Sequence, residues 1–244
     1  MPETRQRPAT TGHRPIQAGG GIDPHWHDRH QIVYAGHGVL AVTTSTGTWV
    51  APATTAIWIP ARTVHQHRAY GETTLHTIAL DENPLALTTP TALSVTPLLR
   101  ELILTYTSDE ERGESVERVR LRGVLLDQLR ASDQRPTYLP AGQDPRLMSI
   151  CELLQEDPAD GRTLVELGRV VGASERTLSR LCKGELGMTF PQWRVQLRLQ
   201  RALIRLAEGR SVTQVAHETG WASTSAFIDS FRRAFGHTPG SRRA

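Results

Sequence analysis

The C-terminal third of the chain carries two copies of one pattern, and that repeat restricts the fold more than any other feature. The first copy runs Thr163-Leu-Val-Glu166, then Gly172-Ala-Ser174, then Leu178 and Cys182. The second runs Ser211-Val-Thr-Gln214, then Gly220-Trp-Ala-Ser223, then Phe227 and Phe231. Caps and glycines repeat at an offset of 48, and of 49 after the turn. Each copy opens on Ser or Thr with Glu or Gln three residues on, a spacing that lets each side chain satisfy the other residue's backbone N–H at a helix start. A short apolar helix, a glycine turn and a serine able to cap a second helix follow. That order is helix-turn-helix grammar, whose second helix can enter a DNA major groove.

At 244 residues the chain can bury a full core in one or two domains. Its net charge of +3 conceals an asymmetry. Residues Arg146 to Ala244 hold 15 Lys+Arg against 10 Asp+Glu, whereas the rest holds 13 against 15, so the C-terminal part is the better match for a polyanion. That excess is modest, and the charge alone does not select DNA. Cys151 and Cys182 both fall at apolar positions of predicted helices and read as buried free thiols in a reducing compartment. No apolar run approaches the length of a membrane span. The N-terminus is polar and proline-rich without the apolar stretch of a secretory signal. The expectation is a cytoplasmic protein with no membrane partner, whose residues 1–18 are disordered.

Two domains of different class follow from the periodicities, giving an α+β chain. Within 19–94, Ile32-Val-Tyr34, Gly38-Val-Leu-Ala-Val42, Thr48-Trp-Val50, Ala56-Ile-Trp-Ile59 and Leu75 to Leu80 are β-rich runs punctuated by glycine and proline. Short strands at this spacing suggest a small barrel or sandwich. From 95 to 130 the period turns helical. Leu98, Leu99, Leu102 and Ile103 form one apolar face, and Val119, Leu121, Val124, Leu125, Leu126 and Leu129 another, with the polar stretch 108–115 between them. Two such helices either cap the β-domain or make a dimer surface. Residues 131–144, with Pro136, Pro140 and Gly142, read as a linker. From 145 to 244 all elements look helical: a helix over 146–156, helix-turn-helix units at 163–184 and 211–235, and a long helix from Pro191 to about Gly209.

On the long helix Arg194, Arg198, Arg201 and Arg205 fall in one stripe. Trp193, Val195, Leu197, Leu199, Ala202, Leu203, Leu206 and Ala207 cover most of the remaining surface. The stripe is either a basic edge for DNA or a solvated face paired with nearby Glu. A helix of this length spans ~27 Å, enough to set two recognition helices about one DNA turn, ~34 Å, apart.

With Ser174-Glu-Arg-Thr-Leu-Ser-Arg180, Gly187-Met-Thr-Phe-Pro-Gln-Trp193, Arg198-Leu-Gln-Arg-Ala202, Ser211-Val-Thr-Gln-Val-Ala216, Gly220-Trp and Phe231 to Pro239, the chain from about 145 onward resembles the AraC/XylS family of bacterial transcription regulators. Cys182 stands where that family usually has a core aromatic, and Trp221 where it usually has Phe. The resemblance implies a double helix-turn-helix DNA-binding domain. Its first recognition helix would present Arg176, Thr177, Ser179 and Arg180 to promoter DNA, arginine being suited to guanine O6 and N7 or to phosphate. In the second copy Thr224, Ser225, Ala226 and Asp229 are small or acidic, so base readout there is expected to be thin, with Arg232 and Arg233 on phosphate.

Eight of the ten histidines lie in residues 13–76. The run Gly19-x5-His25-x-His27-x3-Gln31-x6-Gly38 resembles the first cupin motif, with glutamine in place of the usual glutamate, and Pro60-x-Arg62-x2-His65 the second, with Arg62 in place of glycine. Strand alternation puts His25 with His27, and His65 with His67, on common faces. The resemblance implies a cupin-like sensor barrel in which His25, His27, Gln31 and His65 converge, with His67 beside them. Three imidazoles and an amide suit one divalent transition ion, Zn²⁺, Fe²⁺, Ni²⁺ or Mn²⁺. A metal-free effector pocket and purely structural histidines are the alternatives.

The reading is a regulator, not an enzyme. A small-molecule or metal effector in the barrel would control binding to promoter DNA, the 95–130 helices would form a homodimer, and RNA polymerase is a possible partner. The competing class is a cupin-type metal-dependent isomerase or oxygenase fused to a DNA-binding domain; Gln31 in place of the carboxylate counts against it. A self-methylating DNA repair protein would need a zinc-type cysteine cluster, which two well-separated cysteines cannot supply.

Overall fold

A computed structural model describes residues 5–108, 115–134 and 137–240. It divides into two compact units, one of residues 1–45 and 49–138, the other of 139–244 with 46–48.

The first unit is β-rich. Its strands are β1 (Arg5–Gln6), β2 (Gly12–Ile16), β3 (Gly21–Trp26), β4 (His30–Ala35), β5 (Val39–Thr44), β6 (Gly47–Pro52), β7 (Thr55–Ile59), β8 (His65–Tyr70), β9 (Thr73–Leu80) and β10 (Thr91–Ser94), followed by α1 (Pro97–Ser108), α2 (Val116–Arg130) and β11 (Tyr138–Pro140). One sheet runs β1-β3-β8-β5-β6; the other runs β10-β7-β4-β9-β2. The two sheets face each other across Val33, Leu40, Val42, Trp49, Ile57, Ile59 and Leu75.

The five-stranded sheet is covered on its second face too. Ile32, Tyr34, Trp58, Ile78 and Leu80 point away from the inter-sheet core and pack against Leu99, Ile103, Leu125, Leu126 and Leu129 of α1 and α2. Strands buried on both faces read as continuous apolar runs, which is why Ala56-Ile-Trp-Ile59 lacks alternation. The expected helix faces are therefore split. Leu99 and Ile103 are buried while Leu98 is 54% exposed, and on α2 Val119 and Val124 turn outward. The polar stretch between the two helices lies largely outside the described residues.

One expectation is corrected here. Residues 1–18 were read as disordered, yet β1 pairs in parallel with β3, and β2 pairs antiparallel with β9 from Gly12↔Thr77 to Ile16↔Thr73. The segment has no apolar pattern because it adds to sheet edges by backbone hydrogen bonds, which any non-proline residue supplies. The segment 131–144, read as a linker, holds the boundary between the two units at 138–139, and within it Tyr138–Pro140 form the short strand β11.

The second unit is all-helical: α3 (Pro145–Glu156), α4 (Leu164–Val171), α5 (Glu175–Glu185), α6 (Phe190–Ala207), α7 (Val212–Glu218) and α8 (Thr224–Phe235). Thr163 with Glu166, Thr189 with Gln192 and Ser211 with Gln214 form reciprocal capping boxes, and Ser174 and Ser223 cap α5 and α8. Gly172 ends α4 in the left-handed conformation, φ 68°, and Gly220 turns the second copy at φ 74°. Cys182 is fully buried among Leu147, Ile150, Leu167, Leu178 and Trp193, so a thiol fills the place of an aromatic ring in the first lobe. The second lobe closes on Val215, Phe227 and Phe231, the two rings 5.6 Å apart edge to face.

The arginine stripe on α6 takes a role that sequence reasoning did not weigh. Arg194 donates to the Arg162 carbonyl, Arg198 Nε to Pro158 O at 3.0 Å and Arg201 Nη2 to Gln155 O at 2.8 Å. Arg205 pairs with acids, Glu208 at 3.1 Å and Glu218 at 3.6 Å. Three guanidinium groups thus satisfy carbonyls at the end of α3 and in the loop after it, which α6 would otherwise leave without donors. Val195, assigned to the apolar surface of the helix, is 40% exposed.

Candidate DNA-binding helices and effector pocket

Helix α5 is the second helix of the first helix-turn-helix. Its inner face, Leu178 and Cys182, is buried, which turns Arg176 and Arg180 outward one helical turn apart. Both are exposed, and neither makes an ion pair or hydrogen bond among the described residues. Ser179 is half-buried beside them. Thr177 differs: its N–H donates to Ser174 Oγ at 3.2 Å and the two hydroxyls lie 2.9 Å apart, so this side chain belongs to the helix cap.

On α8, Ser225, Asp229, Arg232 and Arg233 are exposed and Thr224 is half-buried. Asp229 lies 3.8 Å from Arg232, and Arg233 donates to Ser230 Oγ at 3.3 Å. Arg232 on α8 therefore has an acid beside it, whereas Arg176 and Arg180 on α5 make no ion pair among the described residues.

The histidines converge in the first unit. His25 is the penultimate residue of β3 and the cross-strand neighbour of His65 at the start of β8. Their rings are 4.4 Å apart; His27, in the loop after β3, lies 5.0 Å from His65. One ligand atom from each of His25, His27 and His65 lies within 4.8 Å of the others. Gln31 on β4 puts its side-chain oxygen 3.1 Å from His27 Nε2. His67 stands 4.9 Å from His65, ring to ring, but outside that three-residue group.

The tautomers follow from the backbone. Nδ1 of His25, His27 and His65 meets the carbonyl oxygens of Asp23, Arg29 and Thr63 at 2.8, 2.6 and 2.8 Å. A carbonyl only accepts, so each Nδ1 carries the proton and each Nε2 presents a lone pair. Ring orientation by a backbone carbonyl is the arrangement found behind metal-binding imidazoles. At His65 that Nε2 is buried with no partner. At His27 it faces the amide oxygen of Gln31, so two lone pairs oppose each other unless a cation sits between them or the amide is turned. Burial disfavours the charged form of three of the rings: it lowers His25, pushes His65 down to about 3 and holds His67 well below the ordinary imidazole value. Neutral imidazole is the ligating form, and the donor set fits a borderline divalent ion.

Arg62 holds a left-handed backbone, φ 63°, where the related motif has glycine, and its N–H donates to the His27 carbonyl at 2.7 Å. The turn before β8 is thereby tied to the His27 loop, at a strain of order 1 kcal/mol for a non-glycine residue.

A cavity of about 310 Å³ opens beside the cluster, bounded by His25, His27, Gln31 and His67. Its other wall is the N-terminal arm, through Arg7, His13 and Arg14. Sequence reasoning missed these three residues. The histidine count included His13, but nothing in the local pattern places residues 5–16 on the sheet edges.

Comparison with known proteins agrees with both halves. The AraC-like ligand binding domain matches residues 7–119, and a helix-turn-helix domain matches 167–244. The HTH-type transcriptional regulator NimR of Escherichia coli is 36% identical over 221 residues, covering 88% of this chain and 80% of NimR. The HTH-type transcriptional regulator RipA of Corynebacterium glutamicum is 37% identical over 109 residues, 44% of this chain and 32% of RipA. Among solved structures, ToxT from Vibrio cholerae aligns over 96% of this chain and 97% of its own, with a TM-score of 0.41 and 10% identity. The chain belongs to the AraC family of helix-turn-helix transcriptional regulators, with an AraC-like ligand-binding domain ahead of its DNA-binding domain.

Proposed function

We propose that α5 is the principal reader of promoter DNA and that the histidine-lined pocket holds the effector that controls it. The observation that carries the first part is the contrast between the two recognition helices: Arg176 and Arg180 stand free on α5, while Asp229 offsets Arg232 on α8. A guanidinium without an internal partner is available for a bidentate bond to guanine. Arg232 and Arg233 are assigned to phosphate, with Ser179, Thr224 and Ser225 as minor contacts.

Leu98, Val116, Val119 and Val124 leave exposed apolar surface on α1 and α2, which supports a homodimer formed through these helices. His25, His27 and His65, with Gln31 as fourth donor, are the residues that would hold a Zn²⁺, Fe²⁺, Ni²⁺ or Mn²⁺ ion, which would offer a coordination point to an effector. Binding without turnover is the favoured role, because the position of a catalytic carboxylate is taken by Gln31 and the relatives are named transcriptional regulators. Among the described residues no helix is long and apolar enough to cross a membrane, and a promoter-binding role is the ground for proposing the cytoplasm. An effector shifts DNA binding only by the difference in its affinity for the two states of the protein.

The test uses DNA selected from a random pool by the full-length protein. Arg176→Ala and Arg180→Ala should each weaken specific binding by about 1–3 kcal/mol. Asp229→Ala should leave it unchanged or slightly tighter. Wild-type affinity and footprint for both arginine variants would remove α5 from the account.

A further inference from the structure

The cavity beside the histidine cluster is lined by two guanidinium cations, Arg7 and Arg14 of the arm, together with His25, His27 and His67, and among the described residues no carboxylate borders it. Neither arginine makes an ion pair among the described residues.

His67 is a second, independent pointer. It is 3% exposed, it lines the cavity, and neither of its ring nitrogens has a hydrogen-bond partner. Every imidazole carries at least one N–H, so a donor is buried here with nothing to receive it. Buried donors are nearly always satisfied, and an exception calls for a missing acceptor. The two arginines and the imidazole N–H together ask for one kind of group, an anionic oxygen acceptor. At about 310 Å³ the space suits a small molecule, and Ile22, Pro8 and the Thr77 side chain offer it an apolar wall.

We propose that the effector is a small organic acid whose carboxylate is held by Arg7 and Arg14 and accepts from His67. The inference rests on the reading of this pocket as the effector site and supplies its ligand class. Arginine fits the role because its planar fork binds both carboxylate oxygens at once. Residues of the arm between 7 and 14 line this cavity, so the arm is part of the proposed binding site.

The experiment is calorimetric titration of the full chain with benzoate, with oxalate, with methyl benzoate and with inorganic phosphate, each on metal-free and on Zn²⁺-supplemented protein. Millimolar or tighter binding of benzoate or oxalate is expected, with no binding of the neutral ester. Arg7→Gln and Arg14→Gln should each weaken it at least about tenfold, the scale of one charge-assisted hydrogen bond. Circular dichroism confirms that these surface variants stay folded. Three results overturn the proposal: no saturable binding of either acid, equal binding of methyl benzoate, or binding that needs Zn²⁺ and ignores both arginine substitutions. Tighter binding of phosphate than of either acid would give the pocket to an inorganic oxyanion and overturn it equally. Because the readout involves no DNA, failure here leaves the DNA-binding assignment standing. Acid binding by a protein with no affinity for DNA would do the reverse.

Discussion

Gly168→Ala offers the sharpest check on how the first helix-turn-helix is built, because two effects of known size oppose each other there. Gly168 lies within α4, and replacing a helical glycine by alanine ordinarily stabilises by up to about 1 kcal/mol. Here, however, the added methyl group would lie 2.4 Å from the Ala173 carbonyl oxygen, against a normal carbon–oxygen approach of about 3.3 Å. The turn cannot simply drift away, since the Ala173 N–H donates to the Gly168 carbonyl at 2.9 Å. Relief requires opening the α4–α5 turn by nearly an ångström, an overpacking cost of about 1–3 kcal/mol, to which loss of the turn hydrogen bond adds about 1 kcal/mol. The clash wins, and the net expectation is a destabilisation of about 1–3 kcal/mol. Gly184→Ala is the matched control. It lies in α5 with nothing within 4 Å of the added carbon, so it should stabilise by up to about 1 kcal/mol. Guanidinium unfolding of the full chain, followed by the helical circular dichroism signal, measures both. The reasoning fails if Gly168→Ala proves as stable as wild type, or if the two variants shift in the same direction.

Two further outcomes follow from buried groups. Burial pushes the Cys151 thiol up to about 12 and the Cys182 thiol up to about 11, so iodoacetamide at about pH 8 should modify neither in the native protein and both in guanidinium; rapid labelling of the folded chain would contradict the packing described for the first lobe. His76, 5% exposed, has Nδ1 2.7 Å from Thr107 Oγ1 and stacks on His13, and burial, with the nearby charges of His13, Arg100 and His37, holds it down to about 4. Its folded value is below its unfolded value of about 6.5, so the unfolded chain takes up the proton first as pH falls. The stability it contributes is therefore complete above about pH 6.5 and is lost between there and about 4, by at most about 3 kcal/mol. His76→Gln should flatten the pH dependence of unfolding free energy across that window; an unaltered slope would mean that the ring is not held neutral by its surroundings.

The helix-turn-helix half was legible because its signals are local. A Ser or Thr three residues before Glu or Gln, a glycine that can turn left-handed, and an apolar period of 3.6 act within one or two helical turns, and both capping boxes read from the sequence are formed. The class of the β-domain was legible for the same reason, whereas the grouping of His25, His27, Gln31 and His65 came only from the resemblance to the cupin motifs, and the strand register brings them together. What the sequence did not reveal depends on partners distant in the chain. The helices α1 and α2 carry apolar residues around most of their surface, and only docking on the five-stranded sheet selects Leu99 and Ile103 over Leu98 as the buried set. The arginine stripe of α6 could have faced solvent, acids or DNA, and the loop at 155–162 turned three of its members into donors for backbone carbonyls. The arm at 5–16 looks like a tail, because edge pairing uses backbone groups that every residue has and leaves no mark on side-chain pattern. Only the folded sheets present the free edges that order this arm, and with it the two arginines that line the cavity.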